Sequence, residues 1–185
     1  MEKINEYISY IPSVEEPLSA DVYFIKGNKG YYIFDVGNNE GSLKEINSIN
    51  GPKIVILSHY HKDHTGNIEK VNYEKLYVGD LTYDTIKQGV VVDEKITLVD
   101  GVKVEIVQCP SPHVDGSLIV NVNNEYTLIA DLYFTRPAMM DKEKAHEMLK
   151  TLCSIDTKYF VVSHQEEQSI FLKEELLKEL EEYFS

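Results

Sequence analysis

Residues 53–66 read KIVILSHYHKDHTG, a run of β-branched and aliphatic residues that passes directly into three histidines and an aspartate. This junction constrains the fold more than any other stretch of the chain. A short apolar run bounded by polar residues suits a buried strand. His59 and His61 are two apart, so on an extended segment they project to the same side, and Asp63 and His64 follow as the chain turns. Neutral imidazoles and a carboxylate are ligands for first-row metals such as zinc. The chain has only six histidines, so three of them in one solvated loop by accident is the weaker explanation. Neighbouring side chains diverge, and four donors from one short segment cannot all surround one ion. Two ions sharing the segment is easier, His59 and His61 on one and Asp63 and His64 on the other. Each ion then needs donors from elsewhere, so distant segments must return to this point.

Three side chains are candidates for that return. His113 lies in the Pro/Gly-rich loop CPSPHVDGS, Asp131 ends the run YTLIAD, and His164 ends KYFVVSH. Taken singly, each also suits a hydrogen-bonded core histidine or a capping aspartate. Together they are three metal-competent groups at strand ends, where loops gather to form sites, and an unpaired buried carboxylate at Asp131 would be costly. Cys109, four residues before His113, is a weaker candidate donor, since a buried thiol behaves as a small apolar group. Cys109 and Cys153 are too few for a disulfide framework or a four-thiolate site.

Around these points the chain alternates strand and helix signals. VYFIK (22–26) and YYIFD (31–35), split by GNKG, read as a hairpin. SLKEINSI (42–49) suits a short helix ended by Gly51-Pro52, and GNIEKV (66–71) a helical turn or two. KLYVG (75–79) reads as a strand and LTYDTIKQG (81–89) as a short helix. Two further hairpins turn at Asp100-Gly101 and Asn123-Asn124. DKEKAHEMLKTLCSI (141–155) is an amphipathic helix capped by Asp141, KYFVVS (158–163) a buried strand, and SIFLKEELLKELEEYF (169–184) a final helix. Two facing sheets between helical layers is the simplest arrangement of this order. No linker or repeat interrupts it, so a single domain over 1–185 is expected.

Composition narrows the partners. Acidic residues outnumber basic ones 31 to 18, for a formal charge of −13, and no basic run appears, so no nucleic-acid partner is expected. The N-terminus has no apolar signal-like region and no apolar run is long enough to span a bilayer, so a cytoplasmic protein without membrane association is expected. A small-molecule substrate fits best. An oligomer contact through the last helix is compatible with the sequence.

The segment HYHKDH resembles the His-x-His-x-Asp-His signature of the metallo-β-lactamase superfamily, and the resemblance runs along nearly the whole chain. VYFIKGNKGYYIFDVG resembles the family's first hairpin, ending in Asp35 and Gly37. PHVDGS resembles the third-histidine loop, LIADLYF the strand with the bridging aspartate, and VVSHQ the last ligand strand. The resemblance implies an α/β fold, the four-layer αββα sandwich, and a dinuclear metal site. One ion would be held by His59, His61 and His113, the other by Asp63, His64 and His164, with Asp131 bridging. Asp35 would steady the ligand loop by hydrogen bonds, and His146 is left as a surface residue. Pro112 and Gln165 replace glycines common beside the third and last histidines.

For a small zinc-dependent hydrolase of this type, two ions share a water, lower its pKa and provide a bridging hydroxide nucleophile, which Asp63 would also orient. Zinc is the expected metal, with iron or manganese as alternatives. An ester, thioester or lactone-like small molecule is the expected substrate. The bridging aspartate disfavours β-lactam hydrolysis, the absence of an appended flavin domain disfavours a flavodiiron oxidoreductase, and the excess of acid disfavours RNA processing. Only 21 residues follow His164, too few for the helical glutathione-binding domain of glyoxalase II enzymes. A mononuclear-iron persulfide dioxygenase-like enzyme and a non-catalytic metal-binding module are the alternatives. Tyr60, Tyr133, Phe134 and Thr135 are expected near the pocket, and Arg136 is a candidate anchor for an anionic group.

Overall fold

A computed structural model describes residues 1–134, 141–165 and 169–184. Among these, the strands are β1 (Glu2–Lys3), β2 (Ile8–Ile11), β3 (Val14–Glu15), β4 (Leu18–Ser19), β5 (Val22–Lys26), β6 (Tyr31–Phe34), β7 (Lys53–Ile56), β8 (Lys75–Val78) and β9 (Val90–Val91). They continue with β10 (Ile96–Val99), β11 (Lys103–Cys109), β12 (Ser117–Val122), β13 (Tyr126–Ala130), β14 (Tyr159–Val162) and β15 (Ile170–Leu172). The helices are α1 (Glu40–Ser48), α2 (Lys62–Thr65), α3 (Asp80–Ile86), α4 (Lys142–Ser154) and α5 (Lys173–Phe184), with a 3-10 turn at Ile68–Lys70.

The first sheet runs β1-β2-β5-β6-β7-β8-β9, the second β10-β11-β12-β13-β14-β15, and β3-β4 form a separate small hairpin. The β5–β6 hairpin pairs Tyr23 with Phe34, and its turn is closed by Gly27 N–H donating to Gly30 O at 2.8 Å. From β6 to β9 the pairings are parallel, which requires a crossover before each strand. Helix α1 supplies the first, capped by Asn39 accepting from Ser42 N. The second sheet is an antiparallel meander from β10 to β13, then a parallel step to β14 through α4.

The central strands read as unbroken apolar runs because both of their faces are covered. Ile106, Leu118, Val120, Leu128 and Val161 face Phe34 and Ile56 between the two sheets. Their neighbours Ile119, Ile129, Phe160 and Val162 point the other way, against Ala145, Met148, Leu149 and Leu152 of α4 and Leu176, Leu180 and Phe184 of α5. On the far side Val55, Leu57 and Val78 pack with Ile46 of α1 and with Ile68. Each fully buried aliphatic or phenyl side chain contributes roughly 1.5–3 kcal/mol. The result is a four-layer αββα sandwich.

Several boundaries differ from the sequence reading. The expected helix over 169–184 begins only at Lys173, and Ile170–Leu172 form an edge strand antiparallel to β14. Ile170 packs toward the inter-sheet core and Phe171 toward the helices. That alternation is a strand's, and apolar spacing over three residues could not distinguish it from a helix's first turn. Helix α1 starts at Glu40, earlier than Ser42. The helical turn expected over 66–71 is a 3-10 turn at Ile68–Lys70, and a short helix the sequence did not signal, α2, precedes it and carries Asp63 and His64 themselves. The four short strands of residues 2–19 had no reading in the sequence. No helix among the described residues is long and apolar enough to cross a membrane.

Cys109 is fully buried in the core beneath α4 and α5, where burial pushes its thiol up to about 12, whereas Cys153 is exposed. A thiol titration at mildly alkaline pH should therefore count one fast-reacting cysteine in the native protein and a second only in denaturant. Two fast thiols would contradict this packing.

Candidate metal centre

One end of the sandwich gathers the chemically distinctive residues. His59 follows β7, Asp131 follows β13, His164 follows β14, and His113 sits in the loop from β11 to β12. Three of the non-glycine residues with positive φ lie here: Asp35 at 62°, Ala130 at 47° and His164 at 57°. Left-handed backbone at such residues costs about 1–3 kcal/mol each and persists only where the surroundings enforce it. The third-histidine loop is fitted closely against α3, because a Cβ on Gly79 would collide with the Gly116 carbonyl, and Gly116 itself has φ 69°.

The seven expected side chains fall into two adjoining groups, His59, His61 and His113 in one and Asp63, His64, Asp131 and His164 in the other. In the first, His61 Nδ1 lies 3.0 Å from His59 Nε2 and 3.1 Å from His113 Nε2. In the second, His64 Nε2 is 3.2 Å from Asp131 Oδ2, and His164 Nε2 is 3.1 Å from Asp63 Oδ2. His64 Nε2 to Asp63 Oδ2 is 3.4 Å, and His164 Nε2 to Asp131 Oδ2 is 3.6 Å.

Hydrogen bonds behind the rings assign the tautomers. Ser58 Oγ donates to Asp35 Oδ2 at 2.7 Å and lies 3.0 Å from His59 Nδ1, so it accepts the proton of that nitrogen. His113 Nδ1 faces the Phe134 carbonyl and His64 Nδ1 faces Asp35 Oδ2 at 2.7 Å, both of which are acceptors. The Nε2 atoms of His59 and His113 are thereby left with lone pairs aimed into the centre, while His64 Nε2 faces Asp131 Oδ2.

These donors fit divalent ions. Nitrogens whose lone pairs meet at 3.0 Å repel unless a cation or proton lies between them. Ligand atoms about 2.0–2.1 Å from a tetrahedral ion stand about 3.3 Å apart, close to the separations seen here. Asp131 Oδ1 is buried with no hydrogen-bond partner among the described residues while Oδ2 faces His64 and His164, as suits a carboxylate that reaches two ions. Electrostatics differ between the groups. Burial, reinforced by the neighbouring rings, lowers the pKa of His59 and His61 and keeps them neutral. Burial also opposes charge on His64, but Asp35 and Asp131 outweigh it and raise its pKa to about 10; His164 is likewise raised by Asp63 and Asp131 against its burial. Against its own burial, His164 and His64 hold Asp63 below the usual carboxylate range. The second group thus attracts positive charge, and the first offers uncharged donors.

Other expectations fare differently. Cys109 points into the apolar core and is not among the donors. His146 is exposed on α4. Tyr60 stacks edge-on to His61, ring centroids 4.9 Å apart. Tyr133 and Phe134 are partly buried against the core beneath α4 and α5, and the Phe134 carbonyl reaches His113 Nδ1. Thr135 and Arg136 lie outside the described residues. Three positions escaped the sequence reading. Ser58 relays between Asp35 and His59. Ser111 Oγ donates to Leu132 O at 2.6 Å and accepts from His113 N at 3.0 Å, tying two donor loops together. Asp21 accepts from Ser163 Oγ and from His164 N. The only signal in the sequence was an aspartate placed directly before an apolar strand.

Asp35 also accepts from Ser58 N at 2.8 Å, so it supports both ends of the histidine segment. Replacing Asp35 by Asn should weaken metal binding about 10–100-fold in competition with a chromophoric chelator. Unchanged affinity would mean that the rings are oriented by something else.

A family model described as the metallo-β-lactamase superfamily matches residues 16–164. Among solved structures, the chain resembles an archaeal metallo-β-lactamase superfamily protein from Sulfolobus tokodaii (17% identity, TM-score 0.73, covering 98% of this chain and 87% of that one). It also resembles a metallo-β-lactamase from Pontibacter korlensis (16%, TM-score 0.69, 97% of each chain). A flavodiiron protein from Giardia intestinalis is similar as well (12%, TM-score 0.74), although the match covers 99% of this chain and 59% of that one. At these identities the likeness is one of fold. No curated protein matches the sequence. The family match spans most of the chain and includes all seven clustered side chains, and on that ground this chain belongs to the metallo-β-lactamase superfamily.

Proposed function

We propose that this protein is a metal-dependent hydrolase with a dinuclear zinc site that cleaves an ester, thioester or lactone-like small molecule. The observation that carries this reading is the pairing of an all-imidazole group with an Asp₂His₂ group beside the buried, unpartnered oxygen of Asp131. In this reading His59, His61 and His113 would hold one ion and Asp63, His64 and His164 the other, with Asp131 shared between them. Bound there, the ions supply Lewis acidity, acidifying a water and polarising the substrate's acyl oxygen. The chain's own residues do the rest. Asp63, kept ionised by His164 and His64, accepts a hydrogen bond from the attacking water and fixes its direction. Ser58 and Asp35 hold the His59 and His64 rings against rotation, and the Phe134 carbonyl holds His113.

Zinc is favoured because three neutral imidazoles form a suitable zinc triad. An iron triad of two of these imidazoles and a carboxylate is less well supported, since both carboxylates stand with His64 and His164. The net charge of −13 favours a small-molecule substrate over nucleic acid, and a cytoplasmic setting is part of the same proposal.

Elemental mass spectrometry of protein purified without added metal should find close to two zinc per chain. About one iron would overturn the assignment in favour of an oxygen-consuming enzyme, and manganese would change the metal but keep the chemistry. A screen of thioesters and lactones should give turnover that a chelator abolishes and zinc restores. Asp63→Asn should lower kcat by about 10²–10⁴-fold. A loaded protein that turns over none of these substrates would favour a non-catalytic role.

A further inference from the structure

His164 is the only one of the seven clustered side chains whose own backbone is left-handed, at φ 57°. That conformation is strained for a non-glycine residue, although less so for histidine than for most, and here hydrogen bonds hold it. The support comes from the opposite end of the chain. Asp21, immediately before β5 and 4% exposed, accepts from the His164 backbone N–H at 2.8 Å through Oδ2. The same oxygen accepts from Ser163 Oγ at 2.7 Å, and that hydroxyl in turn accepts from Asp21 N at 3.2 Å. Oδ1 accepts from Ser13 N at 3.1 Å, so both carboxylate oxygens are engaged. Hydrogen bonds to an ionised acceptor are roughly twice as strong as neutral ones.

We propose that Asp21 is a positioning residue for the second metal group. By gripping the His164 N–H it fixes the left-handed turn that aims Nε2 at Asp63 and Asp131, and so sets the affinity of that group without touching an ion. The neighbouring chain reinforces this, since Ala20 N donates to Asp63 O at 3.0 Å. The segment just before β5 thus contacts two donors of the same group and none of His59, His61 or His113 through these bonds. The proposal rests on the dinuclear reading above.

The test is a titration of metal-free protein with zinc alone against a chromophoric chelator, with cobalt(II) absorption as an independent report on each group. Wild type should take two equivalents, and His164→Ala should lose the second. Asp21→Ala should weaken the second equivalent about 10–100-fold and leave the first within about twofold, with the far-ultraviolet spectrum unchanged. Asp21→Asn retains an uncharged acceptor and should show a smaller loss, restricted to the same equivalent. If Asp21→Ala does not fold, Asp21→Asn decides. Folded variants that bind both equivalents as tightly as wild type, or that lose both in parallel, would overturn the positioning role. Wild type that takes only one equivalent would instead overturn the dinuclear reading itself. Neither result depends on finding a substrate.

Discussion

Asp35 is the contact on which the centre depends. One carboxylate, 1% exposed at the end of β6, receives the Ser58 N–H, the Ser58 hydroxyl and the Nδ1 proton of His64. Burying a charge is expensive unless it is fully hydrogen-bonded, and these donors are what make its burial tolerable. In return, the strand end β7 and the helical turn α2 are fixed relative to each other. The spacing of the histidine segment therefore becomes a three-dimensional arrangement only once β6 and β7 are paired in parallel, since that pairing brings Asp35 alongside Ser58.

The two groups are built on different electrostatic principles. His59, His61 and His113 are mutually close rings, and burial holds down the pKa values of His59 and His61, so their lone pairs remain available. Against their burial, His64 is pulled toward charge by Asp35 and Asp131, and His164 by Asp63 and Asp131. A carboxylate pair that raises the pKa of its histidine neighbours is one that prefers a cation beside it. Proton and metal therefore compete for the second group far more than for the first.

Much of this could be read from the sequence, for identifiable reasons. Imidazoles and carboxylates at strand ends are chemically conspicuous, and the doubly buried strands announce themselves as unbroken apolar runs, as in SLIVNV and YFVV. The helix–strand boundary at Leu172–Lys173 was lost because three apolar residues fit either period. Asp21, Ser58 and Ser111 were lost for a different reason. They act by accepting or donating to backbone and side-chain groups far away in the chain, 142 residues in the case of Asp21 and Ser163, and no local pattern marks an ordinary serine or aspartate for such a task. Side chains that bind are visible by type, whereas those that hold the binders in place are visible only by contact.

The bond from Asp21 to His164 closes a loop of 143 residues, among the most non-local contacts in the molecule. Contacts of that span form late, because the chain entropy they remove must be offset by structure already in place. During synthesis the three-imidazole group has all its members once His113 has emerged, whereas the second group has to wait for β14. The group around His164 is therefore the last part of the site that a growing chain can assemble, and the direction of synthesis sets that order.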